Sequence, residues 1–204
     1  MRELVVSTFL TLDGVMQAPG GPGEDPSGGF PVEGWSVGYW DDAMGEEMSK
    51  LMGKPFDLVL GRKTYDIFAA HWPRATDQEA AGPLNSATKY VASRSRPTLD
   101  WENSVLLEGE VADAVAELKK GDGPELQVHG SADLLQTLVR HDLVDRYSLR
   151  IFPLVVGCGK RLFGDGAVPA GLRLVESSVT STGVFVGTYE PDGEVRTGTF
   201  RLED

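Results

Sequence analysis

Short apolar runs alternate with amphipathic helical patterns through the middle of this chain, and this alternation limits its fold more than any other feature. An apolar run of about four to eight residues followed by a helical pattern is typical of buried parallel strands joined by helices. Near the C-terminus, two segments instead alternate apolar and polar residues around Thr182–Gly183, which predicts an antiparallel pair. We therefore predict one α/β domain over residues 1–204, with a mostly parallel central sheet and an antiparallel edge hairpin. The predicted strands are residues 3–9, 56–60, 89–93, 104–108, 125–129, 145–153, 172–181 and 183–191, and the predicted helices are residues 40–53, 62–72, 110–120 and 131–141.

Composition and charge narrow the classes of function. The chain carries 19 Lys and Arg against 31 Asp and Glu, a balance that argues against binding along a nucleic-acid backbone. A small anionic ligand stays possible, because a local cationic cluster can override the mean charge. No apolar run approaches the ~20 residues of a membrane span, so we expect no membrane partner. With Cys158 as the single cysteine and three scattered histidines, we expect no intramolecular disulfide, no metal site and a cytoplasmic location.

The stretch DLVLGRKTYDIF, residues 57–68, places two cations where a strand is predicted to become a helix. Gly61 permits a tight turn, and the first helical turn leaves unpaired N–H groups that attract an anion. Arg62 adds a planar guanidinium group whose paired N–H donors suit a phosphate. Lys63 adds a positive charge, and Thr64 adds a hydroxyl donor. The alternative is a glycine turn with two solvated cations.

A second turn of the same kind lies in LQVHGSADLLQTLV, where Gly130–Ser131 separates a strand from a helix that starts near Ala132. Ser93–Arg94 follows another predicted strand, and an arginine there suits the 2′-phosphate of NADP. In open α/β sheets, ligands bind outside the carboxyl ends of the strands. Three such features at strand ends predict a dinucleotide site, although the chain has neither G-x-G-x-x-G nor a phosphate loop.

The motifs LGRKTYDIF and VHGSADLLQTLV together resemble the dihydrofolate reductase fold. TLDGVMQAPGG, the helix WDDAMGEEM and the segment GSADLL…LVRHDLVDRYSLRIFPLVVGCGKRLF are more similar to the RibD C-terminal reductase-like branch. The resemblance covers roughly residues 3–190, with its motifs in the same order. It implies a three-layer dihydrofolate-reductase-like fold, NADPH as the cofactor, and a homodimer, because two chains often pair in that branch.

The resemblance also implies which residues contact the cofactor. The first phosphate-binding turn would consist of Gly61, Arg62, Lys63 and Thr64. The 2′-phosphate would contact Ser93 and Arg94. The pyrophosphate turn would consist of Gly130, Ser131, Ala132 and Leu134. This chain has Gly-Ser at the pyrophosphate turn where many relatives have Gly-Gly. Ser131 therefore either hinders close backbone approach or adds a hydroxyl donor.

On the substrate side, the resemblance places Asp13, Gly14 and Val15 beside the nicotinamide and the substrate. Trp40 and Tyr65 are candidate contacts for a flat ring. Asp13 and Asp42 are the candidate catalytic residues, each acting through a bound water that would supply a proton. Asp13 in LDG also fits a simple turn in which its carboxylate accepts backbone N–H groups.

Dihydrofolate reductases carry one carboxylate on the first helix, facing the pterin. Here four acidic side chains lie near that place, and the sequence does not choose among Asp41, Asp42, Glu46 and Glu47. The alternative is that the two aspartates cap the helix and both glutamates are solvated.

These features predict an NADPH-dependent reductase of the RibD C-terminal type, an enzyme that reduces a ribosylamino-pyrimidine in riboflavin synthesis. Hydride would pass to a small heterocyclic or sugar-linked pyrimidine substrate, under a cover formed by the Gly/Pro-rich loop 18–34. A dihydrofolate or pterin reductase and a non-catalytic nucleotide-binding protein of the same fold are the alternatives.

Overall fold

The structure, a computed structural model, describes residues 1–164 and 167–200. Its strands are β1 (Leu4–Thr11), β2 (Phe56–Gly61), β3 (Lys89–Ala92), β4 (Ser104–Leu106), β5 (Glu125–Val128), β6 (Arg146–Phe152), β7 (Leu172–Val179) and β8 (Phe185–Pro191). Its α-helices are α1 (Asp42–Met52), α2 (Arg62–His71), α3 (Gln78–Ser86), α4 (Val111–Lys120) and α5 (Ala132–Arg140). No helix of the described residues is long and apolar enough to cross a membrane.

The strands form one sheet in the order β4-β3-β2-β5-β1-β6-β8-β7. In this order, the six strands from β4 to β6 are parallel to one another, whereas β8 runs antiparallel to both β6 and β7. The predicted mostly parallel sheet with an antiparallel edge hairpin is therefore confirmed.

Helices cover both faces of the sheet, because successive side chains of its buried strands point to opposite sides. On β2, Val59 packs with α4 and α5, while Leu58 and Leu60 pack with α2 and α3. Beyond these, α1 inserts Met44 against Phe152 on the α2 and α3 side. The result is the predicted three-layer arrangement.

Helix α3 is absent from the sequence prediction. Its sequence, QEAAGPLNS, places Gly82 and Pro83 in the middle of the helix, and both residues normally interrupt one. The side chain of Asp77 caps the helix by accepting hydrogen bonds from two main-chain N–H groups, and Ala81 and Leu84 bury their side chains. Tertiary packing thus stabilises a helix that local propensity disfavours.

The parallel topology brings the carboxyl ends of the central strands to one edge of the sheet. The segments that leave this edge include those after Thr11, Gly61, Ala92 and Val128. All the predicted phosphate-binding residues lie in or directly after the last three of these strand ends, which defines the candidate site.

Candidate functional site

The two predicted phosphate-binding turns lie in direct contact. The main-chain N–H of Gly61 donates a hydrogen bond to the carbonyl oxygen of Gly130 at 3.0 Å. A Cβ atom at Gly61 would lie 2.2 Å from Ser131 Oγ, and one at Gly130 would lie 2.6 Å from Thr64 Oγ1. Both glycines are therefore required sterically, because any side chain would push the turns apart.

Both turns present the N-terminus of a helix that no side chain caps. Gly61 precedes α2 and Ser131 precedes α5, and neither residue makes a side-chain capping bond. The first N–H groups of each helix are thus left for another acceptor, and the helix dipoles favour an anion. Leu134 buries its side chain in the core, so only its main chain can contribute to such a site.

Each of the three predicted phosphate-binding cations lies beside a carboxylate of its own chain. The pairs of Arg62 and Arg94 are exposed or half-exposed and therefore weak in water, so a phosphate can replace those carboxylates at small cost, whereas the Asp25 side chain beside Lys63 is only 8% exposed. The pairs are Arg62–Asp66 at 2.7 Å, Lys63–Asp25 at 3.6 Å and Arg94–Asp133 at 3.3 Å.

Ser93 and Arg94 line a surface groove of about 380 Å³ at the carboxyl ends of β3 and β4. Arg96 and Glu108 lie in the same groove and pair at 3.6 Å. The side chain of Arg94 is 93% exposed, which leaves its guanidinium free to turn toward a ligand. A separate groove of about 400 Å³, between α4 and the β3–β4 edge, contains none of the predicted site residues.

Asp13 joins the first strand to the loop after β6. Its carboxylate accepts hydrogen bonds from Thr11 Oγ1 at 2.6 Å and Gly157 N at 2.9 Å, and Arg161 lies 3.4 Å away. The bond from Thr11, together with those from Val156 and Gly157, outweighs burial and lowers the pKa of Asp13 to about 2. The carboxylate is occupied and ionised at neutral pH, which favours the turn interpretation and gives no support to Asp13 as a proton donor.

The loop 18–34 is packed against the rest of the protein at this same edge. Asp25, which is buried, lies between Lys160 at 2.6 Å and Lys63 at 3.6 Å. Burial raises the pKa of Asp25, but hydrogen bonds from Lys160 and Ser27 outweigh it, so the pKa is lowered overall. Asp25 thereby links the loop to the first turn of α2, while the predicted covering role of the loop stays a prediction.

Two of the four predicted substrate contacts prove to be core residues. Tyr65 is 3% exposed, and its hydroxyl accepts a hydrogen bond from Trp101 N at 3.0 Å, so its ring is not open to a ligand. Val15 is fully buried, which leaves only its main chain available. Gly14 forms the tight turn after β1 with a φ of 76°, and Trp40 stays 50% exposed.

The structure separates the four acidic residues near the start of α1. Asp41 caps the helix by accepting a hydrogen bond from Met44 N, and it also binds Ser181 and Thr182 in the β7–β8 turn. Asp42, predicted as catalytic, lies exposed in the first turn and makes no hydrogen bond or ion pair among the described residues. Glu46 is exposed, as the alternative interpretation has it, whereas the Glu47 side chain is only 21% exposed, pairs with Lys50 at 2.8 Å and places its charge where it acts on Arg150.

Sequence reasoning missed a polar cluster in the middle of the sheet. The cluster lies on the face that α1, α2 and α3 cover, which we call the α1 face. Arg150 on β6 is 2% exposed and donates to Ser7 Oγ on β1 at 2.8 Å. Burial lowers the pKa of Arg150 to about 10, and burial together with the charge of Arg150 lowers the pKa of His129 to about 4. The signal in the sequence was an arginine inside the apolar strand YSLRIF, where a charge needs a partner.

Known proteins resemble this chain in sequence or in structure over nearly its whole length. The Bacillus subtilis (strain 168) uncharacterised protein YyaP is 27% identical over 196 residues, covering 94% of this chain and 96% of YyaP. A candidate riboflavin biosynthesis protein from Shewanella sp. PV-4 superposes with a TM-score of 0.65 at 21% identity, covering 93% of this chain and 99% of that one. Enterococcus faecalis dihydrofolate reductase, solved with NADP(H), superposes with a TM-score of 0.59 at 17% identity, covering 93% and 96% of the two chains.

These two structural likenesses confirm the predicted dihydrofolate-reductase-like fold. The family model of the RibD C-terminal domain matches residues 2–186, which include both predicted phosphate-binding turns and the Arg150 cluster. The chain therefore belongs to the RibD C-terminal domain family.

Proposed function

We propose that this protein is an NADPH-dependent reductase of the RibD C-terminal type, which acts on a small heterocyclic or sugar-linked pyrimidine substrate. The observation that carries the proposal is the contact between the turns at Gly61 and Gly130. It places two uncapped helix N-termini side by side at the carboxyl edge of a parallel sheet.

The residues at this edge fit a dinucleotide phosphate. The absence of Cβ atoms at Gly61 and Gly130 lets the two backbones approach each other closely. Arg62 and Lys63 would bind phosphate oxygens, with Thr64 and Ser131 as hydroxyl donors. The groove beside Arg94 lies at the neighbouring strand ends, where a 2′-phosphate would be bound.

NADPH, when bound, supplies the hydride. The protein's own residues would then orient the two reactants and keep water away from them. The ion pair between Asp25 and Lys63 at the start of α2 supports a role for the loop 18–34 in this exclusion. A flat substrate would lie on the α1 face, where the central strand leaves Phe9 half-buried beside the exposed ring of Trp40.

Titration of the purified protein with NADPH and NADH, followed by nicotinamide fluorescence or calorimetry, tests the proposal. We expect micromolar binding of NADPH and much weaker binding of NADH, because only NADPH carries the 2′-phosphate. Binding of neither cofactor would overturn the reductase function.

Two alternatives have specific support. A pterin reductase requires a carboxylate on its first helix, and Glu47 is such a carboxylate on α1, whose charge acts on Arg150. Glu47 is already paired with Lys50 at 2.8 Å, however, and the buried cation Arg150 disfavours a protonated pterin. A non-catalytic nucleotide-binding protein fits the finding that neither Asp13 nor Asp42 is placed to donate a proton. NADPH oxidation measured with panels of oxidised pyrimidines and pterins separates all three functions.

A further inference from the structure

Arg150 is a buried cation near the middle of the central sheet. It lies on β6, directly opposite Phe9 of β1, and only 2% of its surface is exposed. A buried guanidinium is costly unless carboxylates or other acceptors satisfy its five N–H groups. The partners of Arg150 therefore indicate whether it serves the fold or a ligand.

Only one nitrogen of this guanidinium is satisfied by the protein. Nη1 donates to Ser7 Oγ at 2.8 Å and to the carbonyl oxygen of Ser148 at 3.0 Å. Nε is fully enclosed and has no partner. Nη2 donates to no group of the described residues and is not fully enclosed, and no carboxylate lies within 4.0 Å of Arg150 among them.

The group of Arg150 that stays open to a ligand is therefore Nη2, because Nε is enclosed by protein atoms. A guanidinium N–H donates a strong hydrogen bond to a carbonyl or carboxylate oxygen. The other buried arginine of the described residues, Arg2, is 6% exposed and has such partners already, since it binds Asp57 and the carbonyl oxygen of Pro124.

Aromatic residues lie on the same face of the sheet as Arg150. Phe9, which is opposite Arg150, lies 6.3 Å from Trp40 between ring centroids, and Phe68 of α2 lies 5.9 Å from His129. The charge of Arg150 acts on His129, and the charge of Glu47 acts on Arg150. We call the region lined by these four residues, Glu47 and Arg150 the α1-face cleft. Glu47 is already paired with the exposed Lys50 at 2.8 Å, so Arg150 is the buried cation of this region that lacks a carboxylate partner.

We propose that Arg150 is a specificity-determining residue of the α1-face cleft, whose Nη2 group donates a hydrogen bond to an oxygen acceptor on a flat substrate. That acceptor is either a ring carbonyl oxygen or an oxygen of a carboxylate carried by the ring. A ring that presents amino groups at the same positions is rejected, because donors then face donors and the guanidinium stays unpaired. The proposal rests on the proposed function only in placing this substrate beside the cofactor.

Three small probes test it directly: uracil, orotate and 2,4-diaminopyrimidine, each titrated into the purified protein with and without saturating NADPH. Binding is followed by calorimetry and by fluorescence, since Trp40 is half-exposed at the cleft. We expect the better oxygen-bearing probe to bind about tenfold or more tightly than the diamino probe, the factor typical of one charged hydrogen bond. Orotate tighter than uracil would identify a carboxylate as the acceptor, and equal binding would identify the ring carbonyls.

Arg150→Met should remove this preference, and Arg150→Lys should keep part of it. The matched control is Arg146→Met, which removes an arginine from the same strand and face whose partners are Glu3 and Glu125. The control should leave the preference unchanged. Circular dichroism and NADPH binding verify that each variant is folded, and Ser7→Ala, which removes the acceptor that positions Arg150, should weaken the preference without removing the charge.

The proposal is overturned if wild type binds neither oxygen-bearing probe, if it prefers the diamino probe, or if a folded Arg150→Met keeps the preference. Its failure is separable from that of the proposed function. If the protein does not bind NADPH but shows a probe preference that depends on Arg150, only the reductase function is rejected. If the protein binds NADPH but shows no such preference, only the role of Arg150 is rejected.

Discussion

At the scale of single residues, the site is defined by which charges already have partners. At the carboxyl edge of the sheet, Arg62 and Arg94 lie beside carboxylates at the surface, where water screens each pair, and Lys63 lies beside the buried Asp25. Arg150 is buried and has no carboxylate within 4.0 Å among the described residues. These two environments suit the two proposed roles: exchangeable phosphate binding for the cations at the edge, and recognition of a substrate by Arg150.

Replacement of Arg94 by Ala should weaken NADPH binding by about 1.5–3 kcal/mol, the cost of losing a hydrogen bond to a charged group, and should leave NADH binding nearly unchanged. Asp133→Asn should strengthen NADPH binding, because Asp133 competes with the 2′-phosphate for Arg94 at 3.3 Å. Parallel titrations with both cofactors measure these effects.

The control is Arg140→Ala, which removes an exposed arginine from the far end of α5 and changes the net charge equally. An equal loss for NADPH and NADH in Arg94→Ala would remove Arg94 from the 2′-phosphate role.

At the scale of elements, the decisive feature is a contact between two turns. One turn joins β2 to α2, and the other joins β5 to α5. Each unit alone is an ordinary strand, glycine and helix. The hydrogen bond from Gly61 N to Gly130 O fixes the spacing between the two helix N-termini. A change that separates the turns should therefore affect both phosphate contacts at once.

Gly61→Ala would place a Cβ 2.2 Å from Ser131 Oγ and 2.8 Å from Ser131 N. We expect it to destabilise the fold by about 1–3 kcal/mol through overpacking, and to abolish NADPH binding. Urea unfolding and cofactor titration measure the two effects.

Gly45→Ala is the matched control, since Gly45 lies inside α1 and its Cβ would meet nothing within 4 Å. It should stabilise the protein by about 0.5–1 kcal/mol and leave cofactor binding intact. A folded Gly61→Ala variant that binds NADPH normally would contradict the importance of the contact.

At the scale of the whole molecule, the pH dependence of the free energy of unfolding reflects the shifted pKa values of His129 and Asp13. His129 has a pKa of about 4 against an ordinary 6.5, and Asp13 about 2 against 3.8. In both cases the unfolded chain binds the proton more readily than the folded chain. Both groups therefore make the free energy of unfolding fall as the pH falls.

We expect two steps in the free energy of unfolding as the pH decreases. The first, between about pH 6.5 and 4, reflects His129, and the second, between 3.8 and about 2, reflects Asp13. Denaturant unfolding across this range measures both steps. His129→Gln should remove the first step and Asp13→Asn the second, and a first step that persists in His129→Gln would assign it to another group.

We propose that the protein is a homodimer in which a second chain covers β7. Every residue of this edge strand is exposed, including Leu172, Leu174, Val175 and Val179. An exposed apolar edge strand tends to associate. Light scattering should give twice the 22.0 kDa chain mass, and Leu174→Glu should yield monomers, whereas Val105→Glu on the opposite edge strand should not. A monomeric wild type would reject the dimer.

The sequence by itself determined the layout of the fold, because the periods of buried strands and helices and the glycines at their ends are local properties. It also located the segments around Gly61, Ala92 and Gly130, because parallel strands bring their carboxyl ends to one edge. It could not recognise α3, whose internal Gly82 and Pro83 are compensated by packing.

Only the tertiary structure decided which side chains are free to act. Tyr65 was a reasonable ring contact and Val15 a reasonable substrate contact until the core enclosed them, and Asp13 was an available carboxylate until the loop after β6 supplied its donors. Arg150 looked like a single interruption in an apolar strand, and its meaning depends on Ser7, which lies 143 positions away in the sequence. Burial and hydrogen-bond partnership arise from contacts between distant segments, so no local pattern can report them.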